Sequence, residues 1–127
     1  MIAIDSSSWI AFFSDRDSSG DDTALVESAL RDHQVCLPPV VLTELLSDPG
    51  LSRAVGSLLS QLPILETTPG FWERAGQLRA KLIARKHRAR LADTLVAQSC
   101  IDHAVRLVTR DADFRHSVRL AGLRLAL

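Results

Sequence analysis

The chain has 127 residues, with 15 Lys/Arg balanced by 15 Asp/Glu and 46% hydrophobic residues. That length suits one domain able to bury about two-thirds of its unfolded surface, and no apolar run approaches a membrane span. The zero net charge hides an asymmetry: residues 1–66 hold ten Asp/Glu against three Arg, and residues 67–127 hold five against twelve Lys/Arg.

Such a division suits an acidic pocket beside a basic face, and so a cation site next to a polyanion. The opening MIAID begins a strand almost at Met1 and leaves no room for the charged and apolar regions of a secretory signal. The expected location is therefore the cytoplasm. Cys36 and Cys100 lie far apart in apolar contexts and form no CxxC, which predicts reduced core thiols.

Ile2-Ala3-Ile4 reads as a short buried strand with Asp5 at its C-terminal end. Ser6 to Ser8 can cap a helix whose Trp9, Phe12 and Phe13 fall at i, i+3 and i+4, as core or as a partner-binding face. SDRDSSGDD, with Gly20, reads as a loop, and Thr23 to His33 as an amphipathic helix. Val35 to Leu37 is a second strand. Pro38 and Pro39 stop it and seed the helix VVLTELL, since proline is tolerated in a first turn. Glu44 stands among apolar neighbours there, and a lone charge in such a stretch needs a partner or a site.

Asp48-Pro49-Gly50 is a turn, Leu51 to Leu62 a helix, and Ile64 to Glu66 a third strand. Pro69 and Gly70 precede a long helix with an apolar face drawn through Trp72, Ala75, Leu78, Leu82 and Ile83. Its later part, RAKLIARKHRAR, is strongly basic. From Arg90 the chain reads as a helix with Val96, Ala97, Cys100 and Ala104 on one stripe. Asp93 sits at its start, where the dipole favours a carboxylate. The strand RLVT then delivers Asp111 past its end. A short turn with Asp113 and Phe114 follows, and Leu123 to Leu127 closes the chain as a last strand.

Strands alternating with helices predict an α/β domain with a mostly parallel sheet. Right-handed crossovers put the ends of the first and RLVT strands on one edge, so Asp5 and Asp111 face one crevice. Glu44 and Asp93 can complete it. Each acid alone reads as a cap or turn residue, but their joint placement points to a site. Converging carboxylates repel unless a cation intervenes, and oxygen-only ligands favour Mg²⁺ or Mn²⁺, ions that typically act on phosphodiesters. Arg79, Lys81, Arg85, Lys86, Arg88 and Arg90 suit phosphate contacts beside the crevice, or else form a solvated helix face. The four histidines show no ligand spacing, and no P-loop, GxSxG or dinucleotide fingerprint is present.

IDSSSWI, the glutamate of VVLTELL, the block LADTLVAQSCIDHA and the ending LVTRDADF, in this order and spacing, resemble a PIN domain of the compact VapC-type toxin branch. The resemblance covers essentially the whole chain. It implies a single domain over 1–127, with a five-stranded parallel sheet flanked by helices, and a metal-dependent endoribonuclease acting on RNA. It also implies Asp5, Glu44, Asp93 and Asp111 as catalytic metal ligands, with Asp113 as an auxiliary acid. Ser6 or Ser7 and Thr109 match hydroxyl positions near the site, and similar proteins form homodimers restrained by a cognate antitoxin. Where many relatives carry a glycine before the third acid, this chain has His87 or Arg88, and QSC replaces an alanine-rich run. Two other readings stand beside this one. One is a PIN-like scaffold that binds RNA or protein without cleaving. The other is a receiver-type phosphoacceptor, which wants a lysine after a late strand, whereas Lys81 and Lys86 lie in the long helix.

Overall fold

The computed structural model describes residues 1–14 and 19–127. Residues 15–18 of the expected SDRDSSGDD loop therefore lie outside the described part. The element order is β1 (Ile2–Ile4), α1 (Ser6–Phe13), α2 (Asp21–Arg31), β2 (Val35–Cys36), α3 (Pro39–Leu46), α4 (Arg53–Gln61), α5 (Phe71–Ala84), α6 (Leu91–Asp102), β3 (Arg106–Val108), a single 3-10 turn (Ala112–Phe114) and α7 (Arg115–Ala121).

The three strands are parallel in the order β2-β1-β3. Ala3 is opposite Cys36 on one side and Leu107 on the other, and neither it nor Leu107 is exposed at all. The sheet is widened at both edges by single bridges, Ile64 beside Leu37 and Leu125 beside Leu107. The five expected strand segments therefore occupy five adjacent positions, the outer two as bridges only. Backbone bonds fix these edges: the Leu65 N–H donates to Leu37 at 2.8 Å, and the Ala126 N–H to Leu107 at 2.9 Å. A sheet covered on both faces accepts unbroken apolar strands, which is why IAI and VCL carry no alternation.

The helix register differs from the sequence reading at three places. On α5 the buried face is Phe71, Ala75, Leu78 and Leu82, while Trp72 and Ile83 are 63% and 52% exposed. One residue turns a helix by about 100°, so choosing Trp72 over Phe71 rotated the predicted face. On α6 the buried run extends through Val96, Ala97 and Cys100, but Ala104 lies past the helix end. The expected turn at Asp113 and Phe114 continues into α7, which the sequence reading lacked; α7 packs on α5.

Three helix ends share one device. The N–H of Lys86 donates to Ile83 and that of His87 to Leu82, at 2.9 and 3.0 Å, with Lys86 in the left-handed region at φ 60°. The same paired bonds close α2 around His33 (φ 55°) and α6 around Ala104 (φ 53°). Glycine usually fills this position, and only α7 among these four uses it, at Gly122. Each turn after α2 and α6 feeds straight into a strand. In the stretch before Asp93 the left-handed position is held by Lys86, directly ahead of His87 and Arg88.

Packing accounts for the remaining features. Trp9 is fully buried and stacks on Phe13 at 5.5 Å, while Phe13 and Ile10 are 36% and 63% exposed. The aromatic helix is therefore core on one side and open on the other. Arg74 on α5 forms a forked ion pair with Asp102 at the end of α6, at 3.1 and 2.6 Å. Gln98 donates to the same carboxylate at 2.8 Å, which explains the polar Q of VAQSC. Cys36 and Cys100 are free and buried, as the spacing predicts, and burial pushes both thiols up.

Candidate active site

The site forms where β1 and β3 end. Backbone bonding seats Asp5 firmly. Its N–H donates to the Val108 carbonyl at 2.9 Å, extending the β1–β3 ladder, and its own carbonyl accepts from Ser8 and Trp9 at 3.0 Å, starting α1. Asp5, not the serines, is the N-cap residue of α1, and its carboxylate makes no cap bond. Ser7 Oγ donates to Oδ2 at 2.8 Å and Thr109 Oγ1 donates to the same oxygen at 3.0 Å. With 5% exposure, Asp5 is a buried carboxylate oriented by two hydroxyls.

Thr109 links the strand ends, because its Oγ1 also accepts the Asp111 N–H at 3.0 Å. Asp111 caps the 3-10 turn through a 2.9 Å bond from the Asp113 N–H. The third hydroxyl, Ser6 Oγ, crosses to α3 and donates to Glu44 Oε1 at 2.9 Å. Glu44 is exposed at the rim, with Val41 and Leu45 of the same helix buried. Its partner is Ser6, which answers the question its apolar context raised. The hydroxyls expected near the site thus donate to the acids themselves.

Asp93 is the third residue of α6, behind the N-cap residue Arg90. A helix start favours a carboxylate by about 0.3–1 kcal/mol. Nonetheless its carboxyl is pushed up to about 6, by burial first, then by the charges of Asp5, Asp111 and Glu44, with Arg90 opposing. A shift of this size corresponds to roughly 3 kcal/mol before solvent screening, so burial and repulsion outweigh the dipole. The charges of the other three predicted acids therefore all reach Asp93. Among the described residues no three ligating side chains stand close enough to form a ready-made metal cage. The convergence is electrostatic.

Asp113 shares a narrow crevice with Asp93, closed by Arg88, Ala89, Thr94 and Phe114. Of the basic run, Arg85, Lys86, Arg88 and Arg90 are exposed around this crevice's loop. Arg79 is tied down, donating from Nε to the Ala89 carbonyl at 2.9 Å, and so braces the loop. Sequence reasoning missed Arg110, whose guanidinium grips Asp22 at 2.6 and 3.1 Å beside Asp111. It also missed that α7 supplies Ser117 to the crevice wall, because α7 was not foreseen.

A parallel α/β domain that gathers acids past its strand ends defines a class, and the comparisons agree with it. The sequence model of the family described as PIN domain matches residues 2–119, and the chain belongs to that family. Within the family it falls in the VapC branch. It is 30% identical over 136 aligned positions to VapC ribonuclease Mb1587 of Mycobacterium bovis, covering 99% of this chain and 98% of the relative. Ribonuclease VapC11 of Mycobacterium tuberculosis matches to the same extent. Among solved structures, VapBC2 from Rickettsia felis, bound to a DNA fragment of its promoter, superposes with a TM-score of 0.73 at 20% identity, covering 98% of this chain and 97% of that one. VapBC-5 from Mycobacterium tuberculosis gives 0.67 at 20% identity, covering 98% and 95%.

Proposed function

We propose that this chain, over residues 1–127, is a single-domain endoribonuclease toxin that needs Mg²⁺ or Mn²⁺ and is restrained by a cognate antitoxin. The observation that carries the reading is the gathering of acids past β1 and β3, where Thr109 ties Asp5 to Asp111 and their charges, with that of Glu44, help to raise the Asp93 carboxyl. A carboxyl raised by burial and by three neighbouring acids is what a divalent cation stabilises in its charged form. The donor set is oxygen only, which fits a hard ion.

In this reading Asp5, Glu44, Asp93 and Asp111 hold the metal, with Asp113 behind them on the crevice wall. When bound, the metal supplies Lewis-acid polarisation of a phosphodiester and eases ionisation of the attacking water. The rest is done by the chain. Ser7 and Thr109 fix the Asp5 carboxylate, and Ser6 fixes Glu44, so the acids do not have to reorganise as charge develops. Arg85, Lys86, Arg88 and Arg90 bind RNA phosphates flanking the scissile bond. The VapC ribonuclease relatives support RNA as the substrate. The antitoxin, a homodimeric state and a cytoplasmic location follow from the same family reading; no described helix is long and apolar enough to cross a membrane.

The scaffold reading draws on one observation, the lack of a ready-made metal cage among the described residues. The two separate in one experiment, in which Asp5→Asn, Glu44→Gln and Asp111→Asn are compared with wild type. Under the nuclease reading, Asp5→Asn and Asp111→Asn lose RNA cleavage and the Mg²⁺-induced rise in Tm together. A folded Asp5→Asn protein with full cleavage would overturn the assignment, and RNA binding without any metal response in wild type would establish the scaffold.

A further inference from the structure

His87, past the end of α5, and His116, on α7, stack at 3.7 Å with their rings 10° apart. This contact joins the two walls of the crevice that holds Asp93 and Asp113. Arg88 and Ala89, which follow His87, line one side, and Ser117, which follows His116, lines the other. Both imidazoles are half-buried, so the pair sits at the lip rather than in the core.

The charges around the pair are unbalanced. Arg74 and Arg110 are committed to Asp102 and Asp22. By contrast Arg85, Arg88 and Arg119 are exposed, and none of them is ion-paired among the described residues. Arg85 and Arg119 lie close enough for their charges, after burial and His116, to hold His87 below the usual histidine range. His116 Nδ1 is buried with no hydrogen-bond partner among the described residues. A planar ring pair flanked by uncommitted guanidiniums matches what single-stranded RNA asks for, a flat face for a base and cations for its phosphates.

Building on the ribonuclease reading, we propose that the stacked His87–His116 pair, with Arg85, Arg88 and Arg119, is a subsite for single-stranded RNA that leads the strand from α7 to the carboxylates. The imidazoles present a stacking face to one nucleotide, and the arginines take the phosphates on either side. The site tolerates any base through stacking, and it extends the RNA path onto a helix that carries no acid of the metal set.

The test is binding of a fluorescein-labelled single-stranded RNA 12-mer (~12 nucleotides spans one such binding groove), followed by anisotropy in EDTA so that nothing is cut. The full-length wild type is compared with Arg119→Glu, His116→Gln and, as a charge control away from the crevice, Arg53→Glu. Arg119 is exposed on α7, so its reversal keeps the fold testable even where His116→Gln loosens the helix. The subsite predicts about tenfold weaker binding for Arg119→Glu, with a salt slope shallower by about 1. It predicts several-fold weaker binding for His116→Gln and no change for Arg53→Glu. Equal loss for Arg119→Glu and Arg53→Glu would show bulk charge alone and overturn the subsite. Unchanged affinity in Arg119→Glu and His116→Gln, with wild-type Mg²⁺-dependent cleavage intact, would overturn it while leaving the ribonuclease reading standing. Wild-type protein that neither binds nor cuts RNA would overturn both.

Discussion

Asp93→Asn should make the metal-free protein more stable while removing its activity. The folded environment raises this carboxyl from 3.8 to about 6. A raised acid is a cost to folding wherever it is ionised. That cost is absent below about pH 4, grows as the pH rises toward 6 and is constant above it. Two pKa units correspond to roughly 3 kcal/mol; solvent at this half-buried site reduces the figure to about 1–2 kcal/mol. Asparagine keeps the volume and discards the charge. In EDTA at pH 7.5 the variant should therefore melt roughly 3–6 °C above wild type, and the gap should close near pH 4. Saturating Mg²⁺ should reverse the order, because a ligand at about 100 times its Kd stabilises by about 2.7 kcal/mol and only wild type retains the full site. Thermal melts across pH, with and without Mg²⁺, read this directly. A variant no more stable than wild type in EDTA at pH 7.5, or one with the full Mg²⁺ response, would refute the repulsion argument.

Other perturbations test the supporting geometry. Thr109→Val removes the hydroxyl that donates to Asp5 and accepts from Asp111, and should cost about 10–100-fold in RNA cleavage or metal affinity, measured by initial rates against Mg²⁺ concentration. Ala104→Gly and Lys86→Gly relieve left-handed strain at helix ends and should each add about 0.5–1 kcal/mol, seen as a higher urea midpoint at unchanged slope. Asp102→Ala breaks the fork with Arg74 and the Gln98 bond, and should cost about 1 kcal/mol after screening. Because Arg74 holds the Asp102 carboxyl below its ordinary value, that stabilisation is present above about pH 4 and fades as pH falls further. Wild type and variant should therefore converge in acid melts.

The acids were legible because their signal is local. Asp5 follows a short apolar run, Asp93 opens a helix, and Asp111 ends a strand, so parallel topology alone brings them to one edge. The charges of Asp5, Asp111 and Glu44 help to raise the Asp93 carboxyl, in keeping with a shared edge. What the sequence hid was set by tertiary context. The run RHSVRLAGL has too few apolar residues to declare a helix, yet Ser117 and Leu123 are buried against the rest of the fold, and α7 brings His116 onto His87. Arg79 reads as one more phosphate-binding cation, but a single backbone acceptor at Ala89 turns it into a brace. The helix-end turn at Lys86 could not be read either, since lysine carries no preference for positive φ and only the paired bonds to Ile83 and Leu82 reveal it. Outer strands reduced to single bridges at Ile64 and Leu125 belong to the same category, because their pairing depends on the neighbour rather than on their own residues.

The most direct measurement is cleavage of a mixed structured and single-stranded RNA pool by the full chain in Mg²⁺, in Mn²⁺ and in EDTA, with Asp93→Asn alongside. The four-carboxylate site predicts cuts that appear with either metal, vanish in EDTA and are lost in a folded Asp93→Asn protein. Cleavage that persists in EDTA, or that survives undiminished without the Asp93 charge, would contradict it.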